Sequence, residues 1–345
     1  MPAEPRRYRG LIIGLGNVAR TAHLPGFRRG PSPLDRLDIV GAVDASVPAG
    51  QVVDGLEVVP SRAAIDRFGP IDFVDICTPT ATHLELTLWA LEQGYHVLCE
   101  KPVAIAADDA RTIAEAARRA GRVVMPCHQY RFNPAWRQVR AWLDGGAIGH
   151  WSLAEFTVYR LHADRGADPT PVPWRATRAG GLGGVLLDHG THLIYEVLDV
   201  AGPPGAIQGW TTRLRHADYD VEDTAHLVMR YPDRLAVLFL TWAAHHRETR
   251  IRFVGDRGTI SWAGGRLLLA ADGAVESLDF TAQLDKASYR HWFADLFTDF
   301  AHRLDTGDGD GPLEDIERVA TVLEAGYGRS RLRHRVRARA RGAAA

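Results

Sequence analysis

The run LIIGLGNVAR, residues 11–20, sets Gly14 and Gly16 one residue apart at the end of an apolar stretch, with Ala19 three positions past the second. Few local patterns constrain a chain as strongly. Gly14 permits a tight turn at the end of a strand, Gly16 lets main chain approach a ligand with no Cβ in the way, and Ala19 allows close helix packing. A helix starting near Asn17 then aims unpaired N–H groups and its positive dipole end at an anion such as a pyrophosphate. Alone the pattern is weak, since a chain that merely turns would also use glycine. Its position adds weight: a strand precedes it, a helix follows, and a βαβ unit begins there.

Up to about residue 130 the sequence supplies that context. RGLIIG, LDIVGAVD, DFVDICT, HVLCE and RVVMPC are short runs rich in Val, Ile, Leu and Cys, as expected for parallel strands covered on both faces. Helical patterns lie between them. HLELTLWALEQG places Leu84, Leu88 and Leu91 on one stripe and closes at Gly94, and AADDARTIAEAARRAG starts acidic, ends basic and stops at Gly121. After a helix near NPAWRQVRAWLDGG the texture changes. From Trp151 onward WSLAEFTVYRL, DTAHLVMRY, RLAVLFLTWAA and TRIRFVG read as antiparallel strands, polar on one sheet face.

The expected architecture is therefore α/β, with a doubly wound parallel sheet over residues 1–130 and an α+β domain over 131–345. The final helix near 313–330 is free to pack back on the first domain. A length of 345 residues fits two cores better than one. With 41 Lys+Arg against 42 Asp+Glu, no net charge draws the chain to nucleic acid or an anionic membrane. Small-molecule chemistry leads. The basic tail RSRLRHRVRARAR, 329–341, reads as a terminal strand rather than a nucleic-acid arm.

Arg6-Arg7 before LIIGLG imitates a twin-arginine export signal, but cleavage would remove the first strand, so a cytoplasmic location is expected. No stretch approaches the roughly 18 apolar residues that span a bilayer. Cys77, Cys99 and Cys127 have no zinc-motif spacing and suit a reducing compartment. All three fall at the carboxyl ends of expected parallel strands, where small buried residues explain them better than a metal. No metal is expected.

Three further segments carry the chemistry. Asp44 ends LDIVGAVD, where a carboxylate would accept hydrogen bonds from an adenosine ribose and repel a 2′-phosphate, which favours NAD over NADP. CEKPVA puts Glu100 and Lys101 at the carboxyl end of a buried strand. Pro102 turns Lys101 away from helical geometry, and an X-Pro bond is the peptide with ready access to cis. GGLGGVLLDHGTHLIYEVL follows a glycine-rich approach with Asp188 and His192 four residues apart, on one face if a helix begins with Asp188 as its N-cap. This set suits oxidation of an alcohol: hydride leaves carbon for a nicotinamide while the hydroxyl loses its proton. His192 fits the base, Lys101 the stabiliser of alkoxide charge, and Asp188 the substrate-orienting group.

The ordered combination GLGNVA, CEKP and GGVLLDHGTH resembles the glucose-fructose oxidoreductase and inositol dehydrogenase family, Gfo/Idh/MocA, over nearly the whole chain. The resemblance implies a Rossmann domain followed by an α/β domain whose large, open, mostly antiparallel sheet mediates dimers or tetramers. Sugars, cyclitols and their derivatives are the implied substrates. By motif position Lys101, Asp188 and His192 match the family's catalytic lysine, aspartate and histidine. Gly14, Gly16, Asn17 and Val18 fall in the matching cofactor loop, and Glu100 lies near the nicotinamide ribose. TPTATH sets Thr78, Pro79, Thr80 and His83 beside the cofactor. CHQYRFNP makes Gln129, Tyr130 and Arg131 candidates for cofactor or substrate contact, and Trp174 and Arg175 match the Trp-Arg that precedes the glycines. YRLHADRGADPTPVPWR matches no one substrate class, and His162, His189, His245 and His246 have no place in the family pattern.

The leading expectation is an NAD-dependent oxidoreductase acting on a secondary alcohol of a sugar, cyclitol or aminosugar. Two alternatives stand beside it: a lyase or hydrolase that uses transient oxidation by bound NAD, and a non-catalytic NAD-sensing protein on the same scaffold. A zinc alcohol dehydrogenase lacks the ligand spacing it would need.

Overall fold

The computed structural model describes residues 6–28, 36–166, 170–284 and 288–328. The arginine-rich tail lies outside the described residues. Two compact units divide the chain: one runs to Gln129 and takes in Tyr289–Glu317, and the other comprises Tyr130–Ser288 and the chain from Arg318.

The first unit is built on seven strands: β1 (Tyr8–Ile13), β2 (Leu37–Val43), β3 (Val52–Val53), β4 (Leu56–Val59), β5 (Phe73–Ile76), β6 (His96–Cys99) and β7 (Val124–Pro126). Their order is β3-β4-β2-β1-β5-β6-β7, parallel except for the β3/β4 pair. The chain winds from β1 to one side through β2 and β4, then crosses to β5 on the other side. Ligands of open α/β sheets bind at the carboxyl ends beside such a reversal. Leu11, Ile12, Val74, Ile76, Val97 and Leu98 are buried on both faces, which is why these strands read as unbroken apolar runs.

The five strongest of these strands match the apolar runs of the sequence. The β3/β4 hairpin has a local signal that the alternation of long runs overshadowed: Asp54-Gly55, with φ of 49° and 80°, is the Asp-Gly pair that a tight two-residue hairpin favours. The helix Tyr289–Thr306 is the larger departure. Expected in the second domain, it clusters with the first unit, where Phe293, Phe297 and Phe300 are buried. Phe297 stacks on Phe27 at 3.9 Å between centroids, and Phe300 meets Phe73 edge-on at 5.5 Å. The apolar surface beside β5 needs a cover, and the chain returns to supply it.

The second unit carries β8 (Trp151–Tyr159), β9 (Ala206–Thr212), β10 (Thr224–Arg230), β11 (Leu235–Thr241), β12 (Glu248–Gly255), β13 (Gly258–Ala263), β14 (Arg266–Ala271) and β15 (Ala274–Asp279). Their order is β15-β14-β13-β12-β8-β11-β10-β9, antiparallel except where β8 runs parallel to β11. The helix Pro134–Asp144 covers one face, with Trp136 against Phe156 and Phe253. Asn133 caps this helix by accepting the Ala135 N–H at 2.9 Å, and Pro134 opens it. On the other face Trp210 and Phe239 remain 53% and 37% exposed. Among the described residues no helix is long and apolar enough to cross a membrane.

Candidate active site

The two glycines of the first loop answer to different constraints. Gly14 has φ +91°, and a Cβ there would lie 2.8 Å from the Thr78 methyl and 2.9 Å from the Thr78 nitrogen. The protein itself demands that glycine. A Cβ on Gly16 would meet nothing within 4 Å, and its φ lies outside the left-handed region. Nothing in the fold forbids a side chain at Gly16, so a glycine there leaves room for a ligand. Helical structure starts at Asn17, widens into a π-type stretch Ala19–His23 and continues through Leu24–Phe27. This loop is a cradle of the kind a dinucleotide's diphosphate requires.

Asp44, just past β2, ties that strand to the loop. Its carboxylate accepts the Leu15 N–H at 2.7 Å, the Ser46 N–H at 2.8 Å and the Ser46 hydroxyl at 2.6 Å. A carboxylate offers about four acceptor positions, so capacity remains for a ribose hydroxyl.

Past β5, the Thr82 hydroxyl donates to the Thr78 hydroxyl at 2.7 Å. His83 is buried between two loops, with Nδ1 2.9 Å from the Pro102 carbonyl and Nε2 2.9 Å from the Thr78 carbonyl. Burial pushes its pKa down, against the backbone hydrogen bonds. His83 therefore braces the Thr78 loop against the segment that follows Lys101. The Lys101–Pro102 peptide is cis.

Beneath Lys101 lies a network that sequence reading missed. His23 is fully buried, with Nδ1 2.8 Å from Asp75 Oδ2 and Nε2 3.1 Å from Glu100 Oε1. Glu100 Oε2 accepts the Lys101 N–H at 3.2 Å. Burial opposes charge on His23, but Asp75 beside its Nδ1, together with the Cys77 sulfur 3.3 Å away, outweighs it and holds the His23 pKa well above its ordinary value. Glu100 in turn is held below the usual carboxylate range by His23 and Lys101, against its own desolvation. One signal was visible: Asp75 is a charge inside an otherwise apolar strand. Its partner at position 23 was not. His23, Asp75 and Cys127 bring one potential ligand atom each within 4.8 Å of one another. Both ring nitrogens of His23 are committed to carboxylates, however, and burial pushes the Cys127 thiol up, away from the thiolate a metal would take. Gln129, at the end of this unit, is buried with Oε1 unpartnered among the described residues, as a ligand contact would leave it.

In the second unit the expectation that Asp188 caps a helix is corrected. A π-type turn spans Leu186–Gly190, the α-helix runs Thr191–Ala201, and the Asp188 N–H already donates to the Gly184 carbonyl at 2.9 Å. Gly184 explains the early start, because a Cβ there would lie 1.8 Å from the Glu222 carbonyl oxygen. Close approach lets Glu222 cap the turn: its carbonyl accepts the Val185 N–H at 3.2 Å and its carboxyl the Leu186 N–H at 3.2 Å. Asp188 is left to pair through its side chain, 3.5 Å from Arg175 Nε and 3.3 Å from His189 Nδ1. Arg175 lies over the Trp174 ring at 4.3 Å, so Trp174, Arg175 and Asp188 form one group.

His192 belongs to a second group. Its ring stacks on Tyr130 at 4.1 Å and 12°, and Nδ1 is 2.8 Å from the Tyr195 hydroxyl, which also accepts the Tyr130 N–H at 3.1 Å. Arg131 lies over the Tyr195 ring at 5.7 Å and within 3.7 Å of Asp199. Glu196, buried with both carboxyl oxygens unpartnered among the described residues, has its pKa pushed well up by burial and by the charge of Asp199. Tyr195 and Glu196 escaped the sequence reading because a tyrosine and an acid on an apolar helix carry no spacing signal.

The family description "Oxidoreductase family, NAD-binding Rossmann fold" matches residues 8–128, and "GFO/IDH/MocA C-terminal domain" matches 136–261. D-apiose dehydrogenase of Paraburkholderia graminis is 33% identical over 279 residues, 79% of this chain and 70% of that protein. An oxidoreductase from Agrobacterium radiobacter, solved with NAD+, L-tartaric acid and magnesium, has a TM-score of 0.79 at 20% identity, over 93% of this chain and 96% of that one. KijD10, a 3-ketoreductase from Actinomadura kijaniata solved with NADP and TDP-benzene, has a TM-score of 0.79 at 21% identity, over 94% and 98%. The two structural likenesses establish the fold.

Proposed function

The chain belongs to the Gfo/Idh/MocA family of oxidoreductases, and on that premise we propose that it interconverts a secondary alcohol and a ketone on a sugar, cyclitol or aminosugar, with NAD rather than NADP. The observation that carries the redox reading is the open position at Gly16, a glycine that the fold does not require. When bound, the dinucleotide supplies the hydride acceptor or donor. Gly14, Gly16, Asn17 and Val18 would hold its diphosphate, Asp44 its adenosine ribose, and Thr78, Pro79, Thr80, Glu100, Lys101 and Gln129 its nicotinamide half. His83 acts through the loops it braces. The Asp44 carboxylate would repel a 2′-phosphate, which supports NAD; kcat/KM with each cofactor tests this, and a preference for NADP overturns it.

Lys101 stabilises the negative charge that develops on the substrate oxygen, and His192 exchanges the hydroxyl proton. Asp188, held by Arg175, orients the substrate, with Tyr130, Arg131 and Trp174 adding contacts. A panel of sugars, inositols and aminocyclitols, followed by NADH absorbance, identifies the substrate class. Steady NADH formation supports net oxidation, whereas product without net NADH would make the chain a lyase or hydrolase. Lys101→Ala should lower turnover by roughly 10²–10⁴-fold and leave NAD affinity within about twofold. Unchanged turnover would remove Lys101 from the chemistry. The free, buried Cys77, Cys99 and Cys127 suit a cytoplasmic location, and the exposed aromatic face of the second sheet suits a homodimer or homotetramer.

A further inference from the structure

We propose that Tyr195 is the positioning residue for His192: its hydroxyl holds Nδ1, so the proton exchanged with substrate passes through Nε2. The inference deepens the reading of His192 as the proton-exchanging group and rests on it.

Tyr195 follows His192 by three residues on one α-helix, a spacing at which side chains meet. The 2.8 Å contact from its hydroxyl to Nδ1 sets the rotation of the imidazole about its bond to Cβ. Tyr130 sets the plane, because its ring lies 4.1 Å from the imidazole at 12°. The two constraints are linked, since the Tyr130 N–H donates to the same Tyr195 oxygen at 3.1 Å. Tyr195 is fully buried, so its hydroxyl has little freedom to leave.

A phenol suits the reaction because it both donates and accepts. When Nε2 carries the proton, Nδ1 has a lone pair and the Tyr195 O–H donates to it. When Nε2 is bare, or the ring is doubly protonated, the Nδ1–H donates to the phenol oxygen. His192 therefore keeps a hydrogen bond in each state that it passes through. In the oxidising direction the substrate O–H bond would break with its proton passing to Nε2, while a bound dinucleotide would supply the acceptor for the hydride that leaves carbon; in reduction Nε2 would return the proton. Burial pushes the Tyr195 phenol well up, so it keeps its proton across the working pH range. Among the described residues, the titratable and charged groups around this pair include Tyr130, Glu196, Arg131 and Asp199, with Asp188 one turn earlier. Burial and the charge of Asp199 push Glu196 well up, and the group in contact with Nδ1 is the phenol, at 2.8 Å.

The test uses the full-length protein labelled with 15N-histidine, with His192→Ala assigning the His192 signals. In the wild type, Nδ1 should carry the shift of a hydrogen-bonded nitrogen. Tyr195→Phe, which removes a single oxygen, should abolish that hydrogen-bonded shift and move the His192 titration by about half a pH unit or more. With a substrate from the panel, the variant should lose about tenfold in kcat, shift the kcat–pH limb by the same amount and leave KM for NAD unchanged. A wild-type Nδ1 without a hydrogen-bonded shift overturns the proposal, even if the variant does not fold. So does identical titration in wild type and Tyr195→Phe. Full activity in His192→Ala would instead overturn the catalytic reading and leave the positioning contact intact.

Discussion

Gly14 and Gly16 make separable predictions. Alanine at position 14 must adopt φ near +91° and press on Thr78, so Gly14→Ala should lower stability by roughly 1–3 kcal/mol, seen as a lower urea midpoint. Alanine at position 16 meets open space, so Gly16→Ala should keep the wild-type midpoint and lose about tenfold or more in NADH affinity, at least ~1.4 kcal/mol. Equal NADH affinity in wild type and Gly16→Ala would return that glycine to the turn. Glu196 gives a pH signature. Its folded pKa is raised, so the folded chain keeps a proton that the unfolded chain releases above about pH 4.3. The protonated contribution is complete below that value and is lost as pH rises. Glu196→Gln should therefore gain roughly 1–3 kcal/mol on wild type between pH 5 and pH 8. Parallel urea midpoints at the two pH values would contradict a buried neutral acid. His23 has the same sign, since its raised pKa makes its contribution complete below about pH 6.5, with loss as pH rises through the folded value.

The helix Tyr289–Thr306 shows how an element far along the chain completes an earlier one. Phe297 is fully buried and stacked on Phe27 within the first unit. Phe297→Ala should cost about 3–5 kcal/mol and lower the urea midpoint, whereas a change below 1 kcal/mol would mean that the helix is a minor cover. The π-type turn Leu186–Gly190 also depends on distant chain, because Glu222 accepts its first N–H groups and itself accepts the Tyr327 hydroxyl at 2.6 Å. With that turn capped by Glu222, the Asp188 carboxylate pairs with Arg175 and His189.

Chain connectivity binds the two units covalently three times, after Gln129, Ser288 and Glu317, so no single cut yields both intact. The second unit's sheet bears on the proposed assembly. Trp210 and His226 lie 4.4 Å apart between ring centroids, His226 and Phe239 6.2 Å, and Phe239 and Tyr159 6.0 Å, an aromatic stripe across four strands. Charge placed in it should disfavour burial against another copy. Trp210→Asp combined with Phe239→Asp should shift sedimentation from oligomer to monomer with the fold retained. An unchanged oligomer would move the contact elsewhere on the chain.

Local features were legible in order: the strand that ends at Gly14, the parallel runs up to Cys127, the alternation after Trp151, and the separate placement of Lys101, Asp188 and His192. Each depends on backbone conformation or on a period of two or four residues, which neighbouring residues decide. The pairings were not legible. His23 with Asp75 and Glu100, Glu222 with the turn at Leu186, and the return of Phe297 onto Phe27 link residues far apart in the chain. A sequence shows that a face is apolar or that a charge is out of place. Which distant surface covers that face, and which group neutralises that charge, depends on how packed elements exclude water together, and that is settled only when the whole unit is folded.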